Sequence, residues 1–313
     1  MNLEGRRGIV FGVANKDSLA WAIAERCALE GARVAVTYQS RSNAKRVAPL
    51  ADRPGIDLTF ECDVEEPSSL HAAFERLTAI WGRIDFVVHA IGFSDPAELR
   101  GRYLDTSEAN FVRTMLTSVY SFTRICRLAE PLLRPGASLL TLSYLGGTKV
   151  VPNYNAMGLA KAGLECSVRY LAHDLGGGGV RVNALSAGPI RTLSSTRVRQ
   201  FGEGLRYARE AAPLGRNVGQ ADVAKSAVYL LSDLSSGVTG EIHFVDGGLN
   251  TVAMSDRALA GEAAARDPAE GARLPAPEPA SEDVPAPAVA ARAAAPAQPW
   301  QRLARVIDNT RRP

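Results

Sequence analysis

Residues 8–38 read "GIVFGVANKDSLAWAIAERCALEGARVAVTY" and contain a complete strand–helix–strand pattern. "GIVFGV" (8–13) and "RVAVTY" (33–38) are short apolar runs of strand length, rich in β-branched residues. Between them Leu19, Ala22, Ile23, Cys27 and Ala28 recur at helical spacing. The alternation continues through "LTFEC" (58–62), "IDFVVHAIG" (84–92), "ASLLTLSY" (137–144), "VRVNALSAG" (180–188) and "EIHFVDG" (241–247). Helical patterns fill the gaps, among them Asp222 to Leu231 before the last strand. Strands that alternate with helices favour parallel βαβ units, so seven of them predict an α/β fold with a doubly wound parallel sheet. In such sheets ligands bind beyond the carboxyl ends of the strands, where the strand order reverses.

The pattern stops near Ser255. Residues 256–313 hold 18 Ala and 9 Pro among 58 residues, half of the 18 prolines in the chain. That composition lacks the large apolar side chains needed to offset the entropy of ordering. A single Rossmann-like domain over residues 1–255, followed by an extended, disordered Ala/Pro-rich tail, is therefore expected. The tail's charge is balanced, 8 Arg against 8 Asp plus Glu. Near its end Trp300, Leu303 and Ile307 follow i, i+3, i+7 spacing with arginines between them. They read either as a solvated tail with transient helicity or as a short basic amphipathic helix for a partner or a membrane surface.

Over the whole chain the formal net charge of +3 is too small to point to nucleic acid. Cys27, Cys62, Cys126 and Cys166 lie far apart with no CxxC pair, as expected of buried, reduced thiols rather than a metal site or disulfide framework. The apolar run from Gly8 to Val13 is too short for a secretory signal or a membrane span. A cytoplasmic protein is expected.

Polar oddities gather at the ends of the predicted strands. After the first strand Gly12, Ala14 and the Ser18 hydroxyl form a small-residue turn into a helix. Such a turn can bring backbone N–H groups to a pyrophosphate, although the GxGxxG fingerprint is absent and a plain N-cap at Asp17 or Ser18 explains part of it. After the second strand Gln39 could bond the ribose hydroxyls of NAD, whereas Arg41 could neutralise a 2′-phosphate. After the third, Asp63 could accept an adenine amino group, cap the following helix, or do both, with Val64 against the ring. Gly92, after the fourth, leaves backbone open to a cofactor. His89 on that strand reads as a satisfied core residue, and "GGGG" (176–179) as a turn into the next strand.

Tyr154 and Lys161 stand seven residues apart in "PNYNAMGLAKAGLE" (152–165). On a helix that spacing places them nearly on one face, roughly 10.5 Å apart along the axis. A fixed cation favours the ionised phenol, and the pair can direct a proton or a strong hydrogen bond at an oxygen that gains charge.

These stretches resemble the divergent enoyl-acyl-carrier-protein reductase branch of the short-chain dehydrogenase/reductase family. The likeness rests on "GVANKDSLAWAIA", "TYQ", "CDV", "HAIGF", "LLTLSYLG", "PNYNAMGLAKAGLE", "GVRVNALSAGPIRTL" and "VTGEIHFVDGG", in order over residues 1 to about 255. Most of the wider family carries Tyr-x-x-x-Lys, but here Gly158 stands four after Tyr154. The divergent branch places six residues between Tyr and Lys and a second tyrosine ten before the first, which Tyr144 matches.

The resemblance implies hydride transfer from NADH, with NADPH left open by Arg41, to C3 of a trans-2-enoyl thioester. Tyr154 would bond the thioester oxygen, Lys161 the nicotinamide ribose, and Tyr144 would shape the acyl site. The implied cofactor residues are Gly12, Ala14, Ser18, Leu19, Gln39, Asp63, Val64, Gly92, Lys161, Ile190 and Thr192. The implied substrate residues are Phe93, Tyr144, Tyr154, Met157, Leu193 and Phe201, with no metal. Leu193, Val198, Phe201 and Leu205 would give an apolar face either to a mobile lid suited to an acyl chain or to an ordinary surface helix packed on the core. Arg191, Arg197, Arg199, Arg206 and Arg209 would either steer an acidic acyl-carrier protein or form a solvated helix face. The family's usual homotetramer is implied as well. Two rival readings are a 3-oxoacyl or other carbonyl reductase of the same fold, and a non-catalytic NAD-binding scaffold.

Overall fold

In a computed structural model, which describes residues 2–192 and 201–254, the strand–helix alternation is realised in full. The strands are β1 (Arg7–Phe11), β2 (Arg33–Tyr38), β3 (Ile56–Glu61), β4 (Ile84–His89), β5 (Leu133–Tyr144), β6 (Arg181–Ala187) and β7 (Ile242–Val245). They form one sheet in the order β3-β2-β1-β4-β5-β6-β7, with every pairing parallel. The order reverses once, between β1 and β4. Helices α1 (Leu19–Leu29), α2 (Arg41–Ala51), α3 (Pro67–Trp81), α4 (Glu108–Met115), α5 (Ser121–Ala129), α6 (Asn155–Gly176), α7 (Phe201–Ala211) and α8 (Gln220–Leu231) connect or flank the strands. A π-helical turn, Leu116–Tyr120, joins α4 to α5.

Alternate residues of each strand divide between two cores, as the period of two requires. Ile9, Phe11, Val87 and Leu139 pack with Phe74 of α3, Phe122 of α5 and Leu164 of α6. Val10, Phe86, Val88, Leu140 and Leu185 pack on the opposite face with Trp21 and Ile23 of α1 and Val223 of α8. Fully burying one such side chain contributes about 1.5–3 kcal/mol. A one-residue slip of β1 would exchange Phe11 for Val10 between differently shaped cores, so its register is strongly specified.

Expectation and structure differ in detail. β5 begins at Leu133, ahead of the predicted Ala137, because Leu133 pairs with Ile84 before a register shift and the exposed Arg134–Gly136 stretch intervenes. The Pro135-Gly136 turn signal hid this start. Asp63 does not cap α3, whose N-cap is Glu66. Its carboxylate instead accepts from the Glu65 N–H at 3.0 Å, closing the turn before the helix. Cys27, Cys62 and Cys126 are buried free thiols, as expected, but Cys166 is only half-buried. The Gly177–Gly179 stretch turns the chain into β6, with Gly179 at φ 73°. Among the described residues no helix is long and apolar enough to cross a membrane.

Candidate active site

At the switch point the ends of β1 and β4 approach to backbone contact. Gly12 leaves β1 at φ 92°, and a Cβ there would stand 2.5 Å from the Ala90 carbonyl oxygen. Only glycine meets both demands. The chain then turns into α1, whose N-cap is Ser18 rather than Asp17. The Ser18 hydroxyl accepts from the Trp21 N–H at 3.2 Å and donates to the Asn15 carbonyl at 2.8 Å.

Beyond β4 the backbone of Phe93 is held from a distant element. Its N–H donates to Ser118 Oγ at 2.9 Å, and Ser118 Oγ donates to its carbonyl at 3.0 Å. Ser118 lies on the π-helical turn, a distortion often found at functional sites. The Arg113 guanidinium covers the Phe93 ring at 4.2 Å. Below, His89 is wholly buried and bonded to Thr141 Oγ1 at 2.8 Å and Ser121 Oγ at 2.9 Å. Burial, with Lys161 nearby, takes its pKa down to about 3, so the ring is neutral. It is the satisfied core residue expected.

β5 and α6 bring Tyr144, Tyr154 and Lys161 together. Tyr144 ends β5 and Tyr154 is the N-cap of α6, their rings edge to face with centroids 5.0 Å apart. Asn153 and Asn155, on either side of Tyr154, have φ of 62° and 35°. Such left-handed conformations cost of order 1–3 kcal/mol each and cluster at functional sites. Asn155 Nδ2 also donates to the Glu98 carbonyl at 3.0 Å, tying this turn to the loop after β4.

Lys161 follows on the inner face of α6, 7 % exposed, with Nζ donating to the Leu142 carbonyl at 2.8 Å. Burial depresses it to about 8, against an opposing pull from Glu165. The phenols differ from expectation. Desolvation raises both Tyr144 and Tyr154 above the usual range, and the cation does not reverse this. Tyr154 is thus a protonated hydrogen-bond donor, not a phenolate.

Gly158 explains the spacing. A Cβ there would lie 2.9 Å from the Gly146 carbonyl oxygen, and one on Gly146 would lie 2.5 Å from the Tyr154 ring. The position four after Tyr154 is therefore filled by backbone contact and has no room for a lysine.

One cleft of about 360 Å³ collects these groups. Gly12, Ala14, Ser18, Leu19, Gly92, Phe93, Tyr144, Tyr154, Met157, Lys161, Ile190, Thr192 and Phe201 all line it. Gln39, Asp63 and Val64 stand outside it, at the ends of β2 and β3. Gln39 Nε2 donates to Asp63 Oδ2 at 3.3 Å, so these two at least are joined. Leu193 and Val198 lie outside the described residues, as do Arg197 and Arg199. Phe201 and Leu205 are half-buried on α7, while Ala208 packs with Ala211, Ala212, Leu249 and Leu145. Among the described residues no group of acidic, His or Cys side chains could hold a metal.

Comparison with known proteins bears on this geometry. The family profile described as Enoyl-(Acyl carrier protein) reductase matches residues 12–250. The chain belongs to this reductase family. Enoyl-[acyl-carrier-protein] reductase [NADH] 1 of Rhizobium meliloti (strain 1021) is 54% identical over 252 residues, 80% of this chain and 93% of the relative. The crystal structure of the Anaplasma phagocytophilum reductase in complex with NAD superposes with a TM-score of 0.78 at 50% identity, covering 82% of this chain and 95% of that one. The Bacillus cereus enoyl-acyl carrier protein reductase, solved with NADP+ and indole naphthyridinone, superposes with a TM-score of 0.78 at 44% identity, over 81% and 99%.

Several residues of this family member were not singled out from sequence. Ser118, Asn155 and Glu165 make contacts 25, 57 and 22 residues away along the chain. Of these, only Glu165 carried a local signal, an acidic side chain four after Lys161 on a face that is otherwise apolar.

Proposed function

We propose that the chain is an NADH-dependent enoyl-acyl-carrier-protein reductase that saturates the trans-2 double bond of an enoyl thioester in fatty acid elongation. One observation carries the reading. Tyr144, Tyr154 and Lys161 line the same cleft as Gly12, Ser18 and Gly92, at the single switch point of the sheet.

A dinucleotide fits the residues present. Bare backbone at Gly12 and the N-terminus of α1 suit a pyrophosphate. Gly12, Ala14, Ser18, Leu19, Gly92, Ile190 and Thr192 would hold its phosphates and nicotinamide, and Gln39, Asp63 and Val64 its adenosine. NADH is favoured over NADPH because Gln39 is bonded to the Asp63 carboxylate, whose charge opposes a 2′-phosphate. Arg41, exposed at the start of α2, is the counterweight.

When bound, the nicotinamide supplies the hydride. Tyr154, protonated at working pH, donates from Oη to the thioester oxygen as that oxygen gains charge. Lys161 would bond the ribose hydroxyls of the bound cofactor and set a positive field. Tyr144, Phe93, Met157 and Phe201 wall the acyl chain from water. The acyl-carrier protein, being acidic, would meet Arg191, Arg206 and Arg209, all exposed beside the cleft's α7 wall. Catalysis is assigned to residues 1–255 in a cytoplasmic homotetramer, with the remaining residues dispensable for turnover.

The test follows NADH and NADPH absorbance with crotonyl thioester, beside acetoacetyl thioester. Oxidation of NADH with the enoyl substrate alone is expected. Tyr154→Phe should lower kcat by about 100-fold or more. Turnover of the ketone would establish the carbonyl reductase reading instead, and NADH binding without either turnover the scaffold reading.

A further inference from the structure

Three consecutive residues at the end of β5 each meet α6. The Leu142 carbonyl accepts from Lys161 Nζ, the Ser143 hydroxyl donates to Glu165 Oε1, and the Tyr144 ring packs on Tyr154. Lys161 and Glu165 are one helical turn apart, so their side chains lie on the same stripe of α6. Both are buried, at 7 % and 6 % exposure. The loop after β5 closes over the carboxylate, and a Cβ on Gly147 would stand 2.9 Å from Glu165 Oε1.

A buried carboxylate with one hydroxyl partner is expensive unless a cation shares its surroundings. We infer that Glu165 is a positioning residue of this cleft: its carboxylate is the counter-charge of Lys161 and fastens the end of β5 to α6. The inference deepens the reductase reading and rests on it for the role of Lys161.

Other charges do not substitute for it. On β4, His89 is neutral and engaged by Thr141 and Ser121. The phenols of Tyr144 and Tyr154 remain protonated. On β6, the Arg181 guanidinium is bonded to Leu230, Ser232 and Ser235, residues of α8 and the turn after it. On α4 Arg113 pairs with Glu65, on α5 Arg124 bonds the Val64 carbonyl, and the π-helical turn between them brings only the half-exposed Tyr120. Glu165 therefore supports the protonated state of Lys161 against the burial that depresses it.

The test compares pH profiles of kcat/KM and of the dissociation constant for NADH, read by fluorescence, across variants. Glu165→Gln removes the charge and keeps a hydrogen-bond acceptor for Ser143. Its alkaline limb should move down by about one pH unit, so that kcat/KM falls about fivefold at pH 8 and about tenfold at pH 9 but is little changed at pH 6. Glu165→Asp keeps the charge and should return the limb to its parental position. Ser143→Ala should lower kcat evenly across pH without moving the limb.

A uniform loss in Glu165→Gln, an unchanged profile, or a moved limb in Ser143→Ala would each overturn the inference. If Glu165→Gln does not fold, Glu165→Met fills similar volume without charge and carries the same expectation. The NADH binding profile keeps the two readings apart. A parent protein that binds NADH but reduces no enoyl thioester defeats the reductase reading, while the shift in binding with pH still tests Glu165.

Discussion

At the scale of the residue, Lys161 shows what the cleft demands of the fold. Its ammonium is buried, with an ordinary pKa of 10.5 brought down to about 8. Below about pH 8 folded and unfolded chains both hold this proton, and the folded state bears the full penalty. Between about 8 and 10.5 the unfolded chain binds more protons, so this group's contribution to stability improves as pH rises. Replacing it with methionine removes a penalty of roughly 3 kcal/mol, offset by about 1–3 kcal/mol for the Leu142 carbonyl left unpaired and by a similar amount for Glu165 left buried without its counter-charge. Lys161→Met is therefore expected to be inactive yet, at pH 7, within about 2 kcal/mol of the parent's stability. Urea unfolding at pH 7 and pH 9.5 checks this. A variant weaker by more than about 2 kcal/mol at pH 7 contradicts it.

That Tyr154 and Lys161 share one cleft was legible from their spacing, but their charge states were not. A nearby cation argued for an ionised phenol, whereas desolvation dominates and keeps the proton on. Burial depends on Tyr144, Met157 and the β4 end closing around the site, and no local pattern reports that. Gln39 and Asp63 were legible singly as ends of adjacent strands. Their mutual hydrogen bond required the β2–β3 register.

At the scale of the element, the junction of β5 with α6 places the residues to which the chemistry is assigned. Tyr154 stands where the helix begins, between two asparagines held at positive φ, and Gly158 presses one turn later on the Gly146 carbonyl. Gly158→Ala would force these backbones apart by a few tenths of an ångström or more and displace the Tyr154 ring. Misplacement by 1 Å costs on the order of 100-fold. We expect Gly158→Ala to lose about 10- to 100-fold in kcat with NADH affinity within about threefold, read by the thioester assay and by NADH fluorescence. Full activity would show that the contact is loose.

All seven strands could be read from apolar runs, because a parallel sheet covered on both faces needs continuous β-branched stretches. The ends were harder to place. β5 starts early through a bulge and a Pro-Gly turn, and the π-helical turn that holds Phe93 has no sequence period of its own.

At the scale of the molecule, one face is left apolar. Val112, Leu116 and Tyr120 recur every four residues along α4 and the π-helical turn, each more than two-fifths exposed, and Leu159 and Tyr170 continue on α6. These are the surfaces by which the proposed tetramer would assemble. Sedimentation of the parent should give about four times the 33.3 kDa chain, and Leu116→Glu should yield smaller species. A monomeric parent would refute that assembly.

The single reversal of strand order carries a further implication. Residues before Gly82 build β1, β2 and β3, and residues after it build β4 to β7. The two portions share one strand pairing, β1 with β4, reinforced where α1 meets α8 and α3 meets α5. The cleft straddles that seam, with Gly12 and Ser18 on one bank and Tyr154 and Lys161 on the other. Neither portion holds the whole of this cleft. A polypeptide nicked at the left-handed Gly82 turn would thus be a two-piece device, silent in either piece and complete only on reunion.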